Sequence, residues 1–121
     1  MNKRLLLVDD SATVLQFEMR LLQGLGFETA TAENGKLALQ QVAAQKPDLI
    51  LLDLVMPDMD GFETLRRLRS DPDTKDIPVL VVTTKGDPEV TRQAFDAGCN
   101  DYITKPFDKL ELLAKIQGLL T

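Results

Sequence analysis

Polar side chains cluster at the ends of short apolar runs. Asp9-Asp10 follows Leu5-Leu6-Leu7-Val8, and Asp53 follows Leu49-Ile50-Leu51-Leu52. Thr83 follows the run Val79 to Val82, and Lys105 follows Tyr102-Ile103-Thr104. If these runs are neighbouring strands, they lie about 4.8 Å apart and their end residues can meet. Three carboxylates would then converge. Two like charges 4 Å apart repel by roughly 4 kcal/mol at an effective dielectric of 20, so such a cluster must bind a cation or take up protons. The chain contains no His and one Cys, which leaves oxygen ligands. A hard cation follows, and Mg²⁺ fits best. Singly, each residue has an ordinary reading: Asp10 or Ser11 caps a helix, Asp53 starts a turn, Thr83 suits a strand, and Lys105 is an exposed lysine. Jointly, those readings leave the shared edge unexplained.

Composition narrows the field further. Without His there is no His-based triad, no Cys–His dyad and no His-ligated zinc. A single Cys forms no internal disulfide. With 14 Lys plus Arg against 19 Asp plus Glu, the net charge of −5 argues against a DNA-binding module. The 121 residues suit one domain, 1–121, and 44% hydrophobic content suffices for a core. Met1-Asn2-Lys3-Arg4 leads into too short an apolar run for a signal peptide, and no stretch reaches transmembrane length. A soluble, cytoplasmic protein is expected.

The elements that must position the edge alternate regularly. The strands are Leu5–Val8, Phe27–Thr31, Leu49–Leu52, Val79–Val82 and Tyr102–Thr104. A helix from about Ala12 to Leu25 should turn Val14, Phe17, Leu21 and Leu25 inward. The second helix opens at Glu33-Asn34-Gly35, packs Leu37, Val42 and its alanines, and is stopped by Pro47. Asp60 caps the third with Glu63 completing a capping box; Phe62, Leu65 and Leu68 face inward, and Arg66, Arg67 and Arg69 face water. Asp87-Pro88-Glu89 starts the fourth helix. Asp108 caps the fifth, where Leu110, Leu113 and Ile116 should pack. Strands and helices in alternation imply a doubly wound five-stranded parallel sheet covered on both faces by five helices. Ligands of such sheets bind beyond the carboxyl ends of the strands.

Over nearly its whole length the chain resembles a bacterial response-regulator receiver domain. The carriers are Leu6-Leu7-Val8-Asp9-Asp10-Ser11, Asp48 to Asp53 with Met56-Pro57-Asp58-Met59-Asp60-Gly61, Ile77-Pro78-Val79 to Thr83, and Ala97 to Phe107. The resemblance, rather than the residue pattern, supplies the flavodoxin-like (CheY-like) strand order 2-1-3-4-5. It implies that Asp53 is the phosphoacceptor, with Mg²⁺ held by Asp10, Asp53 and the backbone carbonyl of Val55, and with Asp9 acting through water. It implies that Lys105, before a cis bond to Pro106, supplies positive charge and Thr83 a hydroxyl donor. Thr83 and Tyr102 would then switch the surface of helix four, strand five and helix five.

The implied partners are a sensor histidine kinase or histidine phosphotransfer protein upstream and an effector protein on that surface. Phosphorylation-dependent dimerisation is a further expectation, with no direct nucleic-acid or membrane contact. Thr84 stands where many relatives carry Ala or Gly, and Val55 and Lys85 occupy variable positions that influence phosphoryl lifetime. Leu15 stands where a basic residue is frequent, leaving helix one unusually apolar with Met19 and Leu22 on its other side; core packing is preferred over a partner or dimer surface, and Cys99 is read as packing. A Mg²⁺-dependent aspartyl-phosphate phosphatase would need a second acid where Val55 stands. A flavodoxin-like cofactor carrier would need a hydroxyl-rich loop where Asp9-Asp10 stands. A receiver that no longer switches would not need the intact Asp10, Asp53, Thr83 and Lys105 set. Whether the chain is a stand-alone receiver or part of a longer protein is left open.

Overall fold

The computed structural model describes residues 2–54, 61–84 and 88–120, with Thr84 described by its backbone alone. Its elements run β1 (Arg4–Val8), α1 (Ala12–Leu22), β2 (Glu28–Ala32), α2 (Gly35–Ala44), β3 (Leu49–Asp53), α3 (Gly61–Ser70), β4 (Val79–Thr84), α4 (Pro88–Ala97), β5 (Asp101–Lys105) and α5 (Lys109–Leu120). The strands form one parallel sheet in the order β2-β1-β3-β4-β5. The reversal of strand order falls beside β1 and β3, the strands that lead into Asp9 and Asp53.

The central β3 is buried along its full length, as a strand covered on both sides must be. Strand alternation divides the apolar residues into two cores. One sets Leu6, Val8, Ile50, Leu52, Val79 and Val81 against α2, α3 and α4. The other sets Leu5, Leu7, Leu49, Leu51, Leu80, Val82 and Ile103 against Leu15 and Leu22 of α1 and Leu112 and Ile116 of α5.

Polar caps define where the helices begin. Ser11 Oγ accepts from Val14 N at 3.3 Å, Asn34 Oδ1 from Leu37 N at 2.8 Å, and Asp108 Oδ1 from Glu111 N at 2.8 Å. The expected caps Asp60 and Asp87 lie outside the described residues.

Several helix faces differ from expectation. In α1 the buried positions are Leu15, Glu18 and Leu22, whereas Phe17 is 46% exposed and Leu25 lies beyond the helix, partly open to solvent. Apolar residues cover a broad arc of this helix opposite Thr13, Gln16 and Arg20, so periodicity admits more than one inward direction within that arc; packing against the leucines of β1 and β3 selects the Leu15 side. In α5 the inward face is Leu112 and Ile116, with Leu110 standing 77% exposed in the first turn and Leu113 partly buried. In α2, Ala38 and Val42 pack while Leu37 is exposed.

Leu65 and Leu68 are buried in α3 as anticipated, and Arg66 and Arg67 face solvent. Arg69 turns inward instead: its Nε donates to Gly98 O at 2.8 Å and its guanidinium to Asn100 Oδ1 at 2.9 Å. The chain between α4 and β5 presents these acceptors close enough to capture it. Leu15 and Cys99 are core residues, in line with the packing reading. Among the described residues, no helix is long and apolar enough to cross a membrane.

Candidate functional site

The strand ends bring the expected residues together. One carboxylate oxygen from each of Asp9, Asp10 and Asp53 lies within 4.8 Å of the others. Asp9 is buried, Asp53 is 7% exposed, and Asp10 opens to solvent. The positions follow from pairing: Val8 stands opposite Leu52, so Asp9, just after β1, and Asp53, the last residue of β3, come side by side. Asp9 is held locally as well, because its Oδ1 accepts from Ser11 N at 2.9 Å. The same turn thus caps α1 and orients the first acid.

Lys105 reaches the cluster from β5. Its Nζ lies 3.6 Å from Asp9 Oδ2 and 4.0 Å from Asp53 Oδ2. The Lys105–Pro106 peptide bond is cis, as the resemblance implies. Thr83 is buried and, among the described residues, its Oγ1 has no hydrogen-bond partner. It stands one residue beyond Val82, the register partner of Asp53. A buried hydroxyl without a partner is uncommon.

The donor set suits a hard cation. The acids at the ends of the adjacent strands β1 and β3 offer oxygen ligands, and among the described residues Asp9 Oδ2 has the Lys105 ion pair but no hydrogen bond. The lysine offsets only part of the gathered negative charge. The Val55 carbonyl, expected as a further ligand, lies outside the described residues, as do Lys85 and the Thr84 side chain.

Gly61 brings α3 down onto the site. Its N–H donates to Leu54 O at 3.1 Å, and a Cβ at this position would collide with the backbone of Asp53 and Leu54. Any larger residue would push the start of α3 away from the central acid.

Tyr102 pairs in register with Val81, two residues before Thr83. Its ring is half-buried, meets Phe95 edge-on at 6.1 Å, and lies 5.1 Å under the Lys115 ammonium. Lys115 also bridges Asp101 at 3.2 Å. The tyrosine therefore occupies the seam between α4 and α5.

One residue near the site escaped the sequence reading. Glu18, on the inward face of α1, is 1% exposed, and its Oε1 has no hydrogen-bond partner. Burial, reinforced by the charge of Asp9, pushes its carboxyl up to about 8. The available signal was its place three residues after Leu15 and four before Leu22.

Comparison with known proteins agrees with this geometry. Residues 5–117 match the family model described as the response regulator receiver domain. The chain is 40% identical over 119 residues to the phosphate regulon transcriptional regulatory protein PhoB of Pseudomonas aeruginosa, covering 98% of this chain and 52% of that protein. It thus spans about half the length of the curated relatives it matches. The chemotaxis response regulator CheY4 of Vibrio cholerae superposes with a TM-score of 0.93 at 33% identity, over 99% of this chain and 100% of that one. A sensor histidine kinase's receiver domain from Pseudomonas aeruginosa superposes with a TM-score of 0.91 at 27% identity, over 99% of this chain and 98% of that one; that crystal structure has a magnesium ion coordinated in the active site cleft. With the match running almost from end to end, and the sheet order and strand-end acids agreeing with it, the chain belongs to the response regulator receiver domain family.

Proposed function

We propose that the chain, as one receiver domain over 1–121, accepts a phosphoryl group on Asp53 and acts as a switch in a two-component phosphorelay. The observation that carries this reading is the convergence of three carboxylates and the Lys105 amine at one strand edge, with the unpartnered Thr83 hydroxyl on the next strand. An Asp53 oxygen attacks the phosphorus of a phosphohistidine on a sensor kinase or phosphotransfer protein. The O–P bond forms as the P–N bond breaks, and the donor imidazole leaves with the electron pair and takes a proton. Both reactants are anionic, so charge on the transferring oxygens must be offset.

Asp10, Asp53 and the Val55 carbonyl would hold Mg²⁺, with Asp9 acting through water; when bound, the ion supplies positive charge to the phosphoryl oxygens. Lys105 would supply a second positive charge, and the Thr83 hydroxyl would donate to a phosphoryl oxygen. Movement of Thr83 and inward rotation of Tyr102 bias the α4–β5–α5 surface between two states, and an effector protein reads the outcome. A phosphorylation-dependent dimer would use the same states. The domain is not an enzyme toward other substrates: it catalyses only its own phosphorylation and dephosphorylation. It works in the cytoplasm without contacting nucleic acid or membrane.

The test is exposure to a small phosphodonor with Mg²⁺, followed by intact mass. Wild type should gain one phosphoryl group and Asp53→Ala none. Labelling that persists in Asp53→Ala removes the assignment. Steady turnover of unrelated phosphate esters by the same protein would point to a phosphatase instead.

A further inference from the structure

Among the described residues, Glu18 is the one buried carboxyl that does not sit at a strand end. It fills the centre of the inward face of α1 between Leu15 and Leu22. An aliphatic side chain would pack there without the penalty of about 1–3 kcal/mol that an unsatisfied buried polar group carries. Such a breach of local pattern is expected where function requires it.

Strand alternation shows what this carboxyl faces. Leu5 and Leu7 lead to Asp9, Leu49 and Leu51 to Asp53, and Ile103 to Lys105; all five apolar residues belong to the core beneath α1 and α5. Continuing the alternation directs the two acids and the lysine to the side that α1 covers. Glu18 therefore lies behind the cluster. The charge that acts on it most is that of Asp9, followed by Lys105 and then Asp53. Among the described residues neither Asp9 Oδ2 nor Glu18 Oε1 has a hydrogen-bond partner, although Asp9 Oδ2 has the Lys105 amine 3.6 Å away.

We propose that Glu18 is a positioning residue for the phosphoacceptor site, its polar head backing Asp9 and Lys105 from the interior and setting their placement for cation binding and phosphoryl transfer. The proposal rests on the reading of Asp53 given above. Glu18 acts through Asp9 and Lys105 and does not touch the reacting atoms. Glutamine keeps a polar head of nearly the same shape and leucine removes it, so the two variants separate a polar role from packing.

The experiment compares wild type, Glu18→Gln and Glu18→Leu as full chains. Phosphorylation by a small phosphodonor is followed against Mg²⁺ concentration, and the same samples are melted. Glu18→Leu should need about tenfold more Mg²⁺ for its half-maximal rate, or react about tenfold more slowly, the range seen when a support behind a metal ligand is lost. Its melting temperature should equal or exceed that of wild type. Glu18→Gln should stay within about threefold of wild type in both kinetic quantities. Should Glu18→Leu not melt cooperatively, Glu18→Met replaces it with the same expectation. Wild-type Mg²⁺ dependence and rate in the apolar variant overturn the proposal, as does a Gln variant impaired as much as the Leu variant. Failure of wild type itself to take a phosphoryl group would instead remove the reading of Asp53.

Discussion

Two buried polar groups, Glu18 and Thr83, carry separable stability signatures. The folded pKa of Glu18, about 8, lies above its ordinary 4.5, so the native state retains a proton that the unfolded chain has already released. The stability linked to that proton is complete below about pH 4.5 and is lost as pH rises through about 8. Denaturant unfolding of the metal-free protein should therefore show Glu18→Leu gaining on wild type across that window, by a few kcal/mol at its alkaline end. Asp9, Asp53 and Lys105 are the charges that act on this carboxyl, and a gap that narrows with rising pH would contradict the placement. Thr83 makes the complementary case. Its hydroxyl is buried without a partner, so the isosteric Thr83→Val should leave stability unchanged or raise it by up to about 1 kcal/mol. A clear loss of stability on melting would mean that the hydroxyl already has a structural role.

Two devices act at the scale of elements. Arg69 ties α3 to the α4–β5 turn by bonding Gly98 O and Asn100 Oδ1, and that same Asn100 oxygen accepts from Val79 N at 2.8 Å. Gly98 takes a left-handed backbone conformation, φ 110°, and a Cβ there would strike the Arg69 side chain. Arg69→Ala should lower unfolding stability by about 1–3 kcal/mol while leaving phosphoryl uptake at Asp53 intact. Equal loss of both would place the arginine in the site rather than in the scaffold. The second device is the seam of α4, β5 and α5 around Tyr102. The chain has one Tyr and no Trp, so intrinsic fluorescence reports this ring alone. Phosphodonor with Mg²⁺ should change that emission in wild type. In Thr83→Val the phosphoryl group should still be found by mass while the emission change is lost. An emission change that survives in Thr83→Val would uncouple the two residues.

For the molecule as a whole, folding and charge are linked through the crevice. The parallel sheet forms only by bringing the carboxyl ends of β1 and β3 together, so three carboxylates and one lysine share an edge in every folded molecule. A cation that binds the folded edge and not the open chain must stabilise the fold. At about 100 times its dissociation constant, Mg²⁺ should add about 2.7 kcal/mol, read as a rise in melting temperature. Asp53→Ala should lose most of that rise. An equal rise in wild type and variant would show that the ion acts elsewhere.

Alternation of short apolar runs with helix-length stretches was enough to specify a parallel sheet covered on both faces. The acids, hydroxyl and amine at the run ends marked the edge that matters, because strand periodicity and strand ends are local properties of the chain. The inward phase of α1 was not legible: Val14, Leu15, Phe17, Leu21 and Leu22 spread over a broad arc of the helix, and periodicity cannot choose a centre within it. Contact with Leu5, Leu7, Leu49 and Leu51 made the choice, burying Leu15 and Leu22 and carrying Glu18 in with them. Arg69 was misjudged for a similar reason, since its acceptors come from a turn far along the chain. Residue type and spacing declared what chemistry was available. Long-range packing decided which polar groups lost water, and so which of them the site can use.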